Sequence, residues 1–232
     1  DLGCDVLVYD PPWSDHAEVV RLPILPSSTA SVFREDTEPM PQLPLIEERR
    51  YTLAHTFRRG VKSAHAVVIC SPPHVHVAQA REAMDAMKFG GVVFVEKPLA
   101  LTVENARLVV LVALETGSTV LVGYQFRLFP DLADWRRRGV RWPLVLKFSQ
   151  DFATWRPGGY DYRATGLLRE ASHEIDLACW LADARPQAVW GAVESDFAQV
   201  GIIFGADRRA FITLDARPGV SYERGVYDLA QS

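Results

Sequence analysis

The stretch Phe94-Val95-Glu96-Lys97-Pro98 sets a carboxylate and an ammonium directly after a run of hydrophobes and closes it with a proline. An ammonium held at a fixed point can donate to an oxygen that is gaining charge. Pro98 disfavours a helical conformation at Lys97 and keeps it extended, which restricts the direction of its side chain. A second set lies in Gly-Leu-Leu-Arg-Glu-Ala-Ser-His-Glu-Ile-Asp, residues 166–176, where Glu170, His173 and Asp176 recur every third residue. A histidine with carboxylates three residues to either side is the arrangement of an oriented general base, because a carboxylate fixes the imidazole tautomer and stabilises the imidazolium that forms. Each set has a plainer alternative: a surface ion pair at a strand end, and a solvated helix face with accidental spacing. His74 and His76 make a poor metal site, since neighbours two apart do not share a helical face and no third ligand is evident, so no metal is expected.

The elements around these residues give them an address. Ala66 to Cys70 reads as a buried strand followed by a Ser71-Pro72-Pro73 turn, and a helix starting near His74 runs until Gly90 and Gly91 end it. Val92 to Glu96 is the next strand. Thr102 is the expected N-cap of the following helix, Gly117 its stop, and Thr119 to Gly123 a further strand. Strands apolar on both faces and separated by helices predict βαβ units in a parallel sheet. Ligands of such sheets sit beyond the carboxyl ends of the strands, where both the Ser71 turn and Glu96-Lys97 fall. Upstream, Val6 to Tyr9 reads as a short strand ending in Asp10, and residues 21–50, with five prolines, read as irregular.

After residue 125 the rhythm changes. Short helical pieces precede a strand over 144–152, one strong helix lies around 167–183, and three strand candidates follow in succession at 188–194, 198–204 and 208–215. In the helix, Leu168, Ala171, Ile175, Ala178 and Ala182 form the expected core face, with Glu170, His173 and Asp176 on a polar arc. The chain is therefore read as α/β: an incomplete Rossmann-type parallel-sheet domain over 1–125, and a C-terminal α+β domain over 126–232 with a largely antiparallel sheet.

Composition narrows the partners. Among 232 residues, 25 basic against 29 acidic side chains leave a net charge of −4, with no basic stripe to favour nucleic acid or an anionic membrane. No apolar run approaches the roughly 18 residues of a membrane span. Cys4, Cys70 and Cys179 are odd in number and set among hydrophobes, which predicts packed, reduced thiols and a cytoplasmic setting.

The succession of residues 66–84, 92–109, 120–130 and 171–181 resembles the Gfo/Idh/MocA family of nicotinamide-dependent oxidoreductases, which act largely on sugars, inositols and related polyols. The Glu-Lys-Pro motif after an apolar strand and Ser-His-Glu-Ile-Asp at the expected distance downstream carry the likeness, which covers nearly the whole chain. The resemblance implies a Rossmann domain binding NAD or NADP, and a second domain whose open sheet helps form the substrate site and often an oligomer interface. It implies that Lys97 is the catalytic lysine and that His173 exchanges the alcohol proton during hydride transfer, so the two are expected to meet across the domain boundary. Where many members carry a catalytic aspartate four residues before the histidine, this chain has Arg169; the nearest carboxylate is Glu170. Asp176 matches the aspartate that orients the histidine. Ser71, Pro72 and His76 match the turn beside the cofactor, Glu96 and Gln125 join the cofactor-binding set, and Asp10 matches the carboxylate that holds an adenosine ribose. That carboxylate favours NAD over NADP. Trp155 and Arg156 are candidates for lining the substrate pocket, with a bracing role in their loop as the alternative.

Two departures stand beside the likeness. No G-x-G-x-x-G turn occurs anywhere in these residues, as though the chain began at the second Rossmann strand, and the three closing strand candidates are fewer than the family's sheet. An internal piece of a longer enzyme, or a shortened relative, is expected. The competing function is an inactive relative that senses a ligand or binds a partner.

Overall fold

The computed structural model describes residues 7–8, 52–53, 57–62, 64–87, 90–151 and 170–228. Backbone contacts divide the chain into two units, Asp1–Val122 and Gly123–Ser232. In the first, β1 (Leu7–Val8) and β2 (Thr52–Leu53) pair in parallel. Asp10 and the proline-rich stretch lie outside the described residues.

The helix α1 (Phe57–Val61) leads into the alternation β3 (Ala66–Ile69), α2 (Pro73–Ala86), β4 (Val92–Val95), α3 (Val103–Thr116) and β5 (Thr119–Val122). Strands β3, β4 and β5 form one parallel sheet in that order, with Ile69 opposite Val95 and Val95 opposite Val122. Local chemistry sets the helix ends. Pro73 occupies the first turn of α2, where its missing N–H would have no intrahelical partner. Thr102 caps α3 by accepting from the Asn105 N–H at 3.2 Å, and Gly117 stops it in the left-handed region at φ 67°. Helix α2 ends at Ala86, four residues before Gly90.

Val67, Ile69, Val93 and Val95 are buried with Ala80, Ala83 and Met84 of α2 and Val109 and Val112 of α3. The opposite face of the sheet differs from the expectation of strands covered on both sides, because Val68 is 66% and Leu121 49% exposed. Valine and leucine on alternate positions leave no sequence signal to say which face is covered.

The second unit opens with a 3₁₀ turn (Gln125–Leu128) and α4 (Pro130–Arg138), followed by β6 (Leu144–Ser149), α5 (Ser172–Ala182), β7 (Ala188–Val193), β8 (Phe197–Ile203), β9 (Arg209–Asp215) and β10 (Glu223–Asp228). The sheet order is β10-β6-β9-β8-β7; β6 and β9 run parallel and the other three pairs antiparallel. A fourth strand, β10, therefore follows the three expected ones. Its sequence, Glu-Arg-Gly-Val-Tyr-Asp, has no apolar alternation, and its place at the sheet edge asks for none.

Helix α5 packs Leu177, Ala178, Leu181 and Ala182 onto Leu144, Leu146, Phe148, Ile212 and Leu214 of the sheet. Burial of each such leucine or isoleucine contributes about 1.5–3 kcal/mol. The expected core residues Ala171, Ala178 and Ala182 are buried, but the buried side is wider than expected, and Leu168 lies outside the described residues. Glu170, His173 and Glu174 lie on the buried side, whereas Ile175 is only partly buried. Glu174 is accommodated there by Arg224 of β10, and His173 by the rings of Phe126 and Tyr124.

Candidate functional site

The carboxyl ends of β3 and β4 carry the first group of residues. The parallel ladder continues one residue past β4, where the Glu96 N–H donates to the Ile69 carbonyl at 2.9 Å, and this sets Glu96 beside Cys70 at the end of β3. The Glu96 carboxylate turns back to accept from the Lys97 backbone N–H at 3.1 Å. The carboxylate that looks like an ion-pair partner in sequence thus braces the turn that presents Lys97. The Lys97–Pro98 peptide is cis.

His76, on the first turn of α2, ties the two strand ends together. Its Nδ1 lies 2.8 Å from the Pro98 carbonyl oxygen and its Nε2 2.7 Å from the Ser71 carbonyl oxygen, and the ring is wholly buried. Both carbonyls can only accept, so whichever ring nitrogen carries a proton donates to a turn and not to solvent. Ser71 completes the arrangement by donating its hydroxyl to Gln79 of α2. Ser71, Pro72, Glu96 and Lys97 remain at least partly accessible above this tie, while His76 lies beneath them. The Cys70 thiol is pushed up from its ordinary value, first by burial and then by the Glu96 charge, which favours its protonated form.

The second group surrounds the start of α5. His173 is 4% exposed and packed by two rings: Phe126, tilted at 35° with centroids 4.7 Å apart, and Tyr124, edge-on at 5.9 Å. Glu170 is buried one turn earlier. Tyr124 follows β5 by two residues and is partly buried; burial first, and then the Asp176 carboxylate, push its phenol up, leaving a hydroxyl able to donate across the neutral range. Gln125, the next residue, is exposed.

Asp176 meets a different partner from the one its spacing suggests. Its carboxylate is gripped by Arg127, whose Nε donates to Oδ2 at 2.8 Å and whose Nη2 donates to Oδ1. The spacing of three residues places Asp176 one turn from His173, yet the fork geometry of a guanidinium claims both carboxylate oxygens. Glu174, which the sequence reading leaves without a role, is buried and receives Arg224 from β10, with Nε to Oε1 at 2.6 Å and Nη2 to Oε2 at 3.3 Å. The Arg224 guanidinium in turn sits 4.3 Å from the Phe148 ring centroid and 5.1 Å from that of Phe126.

Tyr124, Phe126, Arg127, Glu174 and Arg224 are thus the neighbours that sequence reasoning passed over. Arg127 and Arg224 are separated from their partners by 49 and 50 residues, which leaves no local pattern to find them, and Glu174, although it adjoins His173 in α5, is marked out only by its distant partner Arg224. Trp155, Arg156 and Arg169 lie outside the described residues. No group of three metal-ligating side chains occurs among the described residues, and no helix there is long and apolar enough to cross a membrane.

Residues 30–124 match the Gfo/Idh/MocA profile, described as an oxidoreductase family with an NAD-binding Rossmann fold. The scyllo-inositol 2-dehydrogenase (NAD(+)) of Bacillus subtilis is 30% identical over 132 residues, 54% of this chain and 37% of that protein. Among solved structures, the UDP-N-acetylglucosamine 3-dehydrogenase GnnA of Acidithiobacillus ferrooxidans superposes with a TM-score of 0.65 at 22% identity, covering 76% of this chain and 58% of that one. GenD2 from gentamicin A biosynthesis, solved in complex with NAD, gives 0.64 at 20% identity, covering 77% and 59%. The chain therefore spans well under two thirds of each of these relatives.

Proposed function

We propose, from the match of residues 30–124 to the Gfo/Idh/MocA oxidoreductase profile, that the chain belongs to that family and serves an NAD(P)-dependent enzyme moving a hydride between nicotinamide and a secondary alcohol of a sugar, inositol or similar polyol. What supports the reading most is the strand-end arrangement: Ser71 and Glu96-Lys97-Pro98 stand at the carboxyl ends of adjacent parallel strands, joined by His76. This is where an open α/β sheet takes its ligands. The inositol dehydrogenase of Bacillus subtilis supports the polyol class.

Bound nicotinamide would supply the hydride acceptor. The chain's residues would supply the rest. For a carbinol losing hydride, His173 would accept the hydroxyl proton and the Lys97 ammonium would donate to the oxygen as its charge grows. His173 suits this task because the rings of Phe126 and Tyr124 restrict its motion and shed water from it. Ser71, Pro72, Glu96 and Gln125 would contact the cofactor and His76 would support that surface from below. Glu170 and Asp176 would set the field around the imidazole, Asp10 would hold the adenosine ribose in preference to a 2′-phosphate, and Trp155 and Arg156 would line the polyol pocket. The wholly exposed strand β7, with Val189 and Trp190, offers a surface for a homo-oligomer. Cys70 and Cys179, both free thiols, suit the cytoplasm.

The test is nicotinamide reduction against a panel of inositols and sugars. Lys97→Ala or His173→Ala should lower turnover roughly 10²-fold or more while cofactor affinity, measured by calorimetry, holds. NAD should outperform NADP, and Asp10→Ala should relax that preference. Unchanged turnover in both alanine variants would remove the catalytic assignment, and equal turnover with NADP would remove the role of Asp10.

A further inference from the structure

We propose that Arg224, on the edge strand β10, is a positioning residue for His173, acting through Glu174 and Phe126; the proposal rests on the catalytic reading of His173 above. The edge strand pairs with β6 so that Arg224 stands opposite Phe148 in the register. From there its guanidinium passes between the Phe148 and Phe126 rings and closes on the buried Glu174 carboxylate with both a 2.6 Å and a 3.3 Å hydrogen bond. A planar cation suits this slot twice over. Its faces meet two aromatic rings, and its edge presents parallel donors to the carboxylate.

Both groups that Arg224 holds are direct neighbours of His173. Glu174 is the next residue in the first turn of α5, so fixing its side chain fixes the helical turn that carries the imidazole. Phe126 lies against the imidazole itself and also meets the guanidinium and the Phe129 ring. One side chain from the edge of the sheet therefore sets two of the surfaces that define where the His173 ring lies. Arg127 works from another side of the imidazole, gripping Asp176 and lying over the Tyr124 ring that meets His173 edge-on, and among the described residues its guanidinium bonds to neither Glu174 nor Phe126.

A buried ion pair can also be mere scaffolding, and two variants separate the cases. Arg224→Lys keeps the charge but loses the fork and the stacked plane. The double variant Glu174→Gln with Arg224→Met removes both charges together, so no carboxylate is left buried alone and the fold is retained. Ring ¹H–¹⁵N correlations of histidine-labelled protein, with His173 assigned by its loss in His173→Asn, report the imidazole directly and need no substrate. Both variants should move or broaden the His173 ring signals while leaving those of His76 unchanged, and both should lower kcat about tenfold with the KM for cofactor preserved. Unaltered His173 signals in either folded variant would overturn the proposal whatever the activity shows. Where His173→Ala abolishes turnover, full kcat in the double variant would overturn it as well. The failure of the catalytic reading looks different: His173→Ala would retain turnover, and the ring spectra would still decide whether Arg224 positions His173.

Discussion

Replacing His76 tests the tie between the two strand ends on energetic grounds. The ring is completely buried and its nitrogens lie 2.8 and 2.7 Å from the Pro98 and Ser71 carbonyl oxygens. A neutral imidazole donates to one of the two and a doubly protonated ring to both, so one or two buried hydrogen bonds are at stake. Each contributes about 0.5–1.5 kcal/mol, and a carbonyl left buried without a donor costs about 1–3 kcal/mol. His76→Leu approximately keeps the volume and isolates this polar part. His76→Ala adds a cavity, for a total of about 2–4 kcal/mol. Most tryptophans lie after residue 122, which makes fluorescence a poor reporter of this sheet. Hydrogen exchange read by mass spectrometry on peptides covering 66–73 and 92–100 is the suitable assay. A local loss of about 2 kcal/mol speeds exchange there roughly thirty-fold, with peptides of β7 to β9 unaffected. If both variants exchange within about threefold of the parent, the ring is not the tie that its hydrogen bonds imply.

Gly90 and Gly117 face each other across the ends of α2 and α3, with φ of 68° and 67°. A Cβ on Gly117 would meet nothing, so Gly117→Ala should cost only about 1 kcal/mol of conformational strain, whereas a Cβ on Gly90 would collide with the Gly117 carbonyl oxygen and should cost at least about 1–3 kcal/mol more. Equal losses in exchange protection would contradict this. At the end of β9, the Arg217 guanidinium's hydrogen bonds first, and then its backbone N–H and its charge, hold the Asp215 carboxyl below the usual aspartate range against the opposing effect of burial. Because the folded value is depressed, the stabilisation is complete above the unfolded value of about 3.9 and is lost as pH falls through the folded one. A side-chain ¹³C titration should show the Asp215 midpoint rising toward the ordinary value in Arg217→Ala; an unmoved midpoint would refute the assignment.

What the sequence determined by itself is whatever depends on near neighbours along the chain. The Thr102 cap, the Gly117 stop, the Pro73 start of α2 and the strands of β3, β4 and β5 follow from side chains within a few residues of one another, so they are legible without a structure. The same holds for Lys97 standing beyond β4 and for His173 lying on a helix, because each belongs to a contiguous motif. Tertiary structure alone decided how wide a side of α5 is buried. The expected polar arc lies partly inside because Arg224 arrives from a strand 50 residues away and neutralises Glu174, while Phe126 and Tyr124 enclose His173. It likewise decided that Asp176 answers to Arg127, and that His76 turns both nitrogens toward two turns instead of toward a ligand. Helical spacing fixes which side chains share a face. Which partner a charged or aromatic group finally meets depends on segments distant in the chain, and only the packing of sheet against helix brings those within hydrogen-bonding reach.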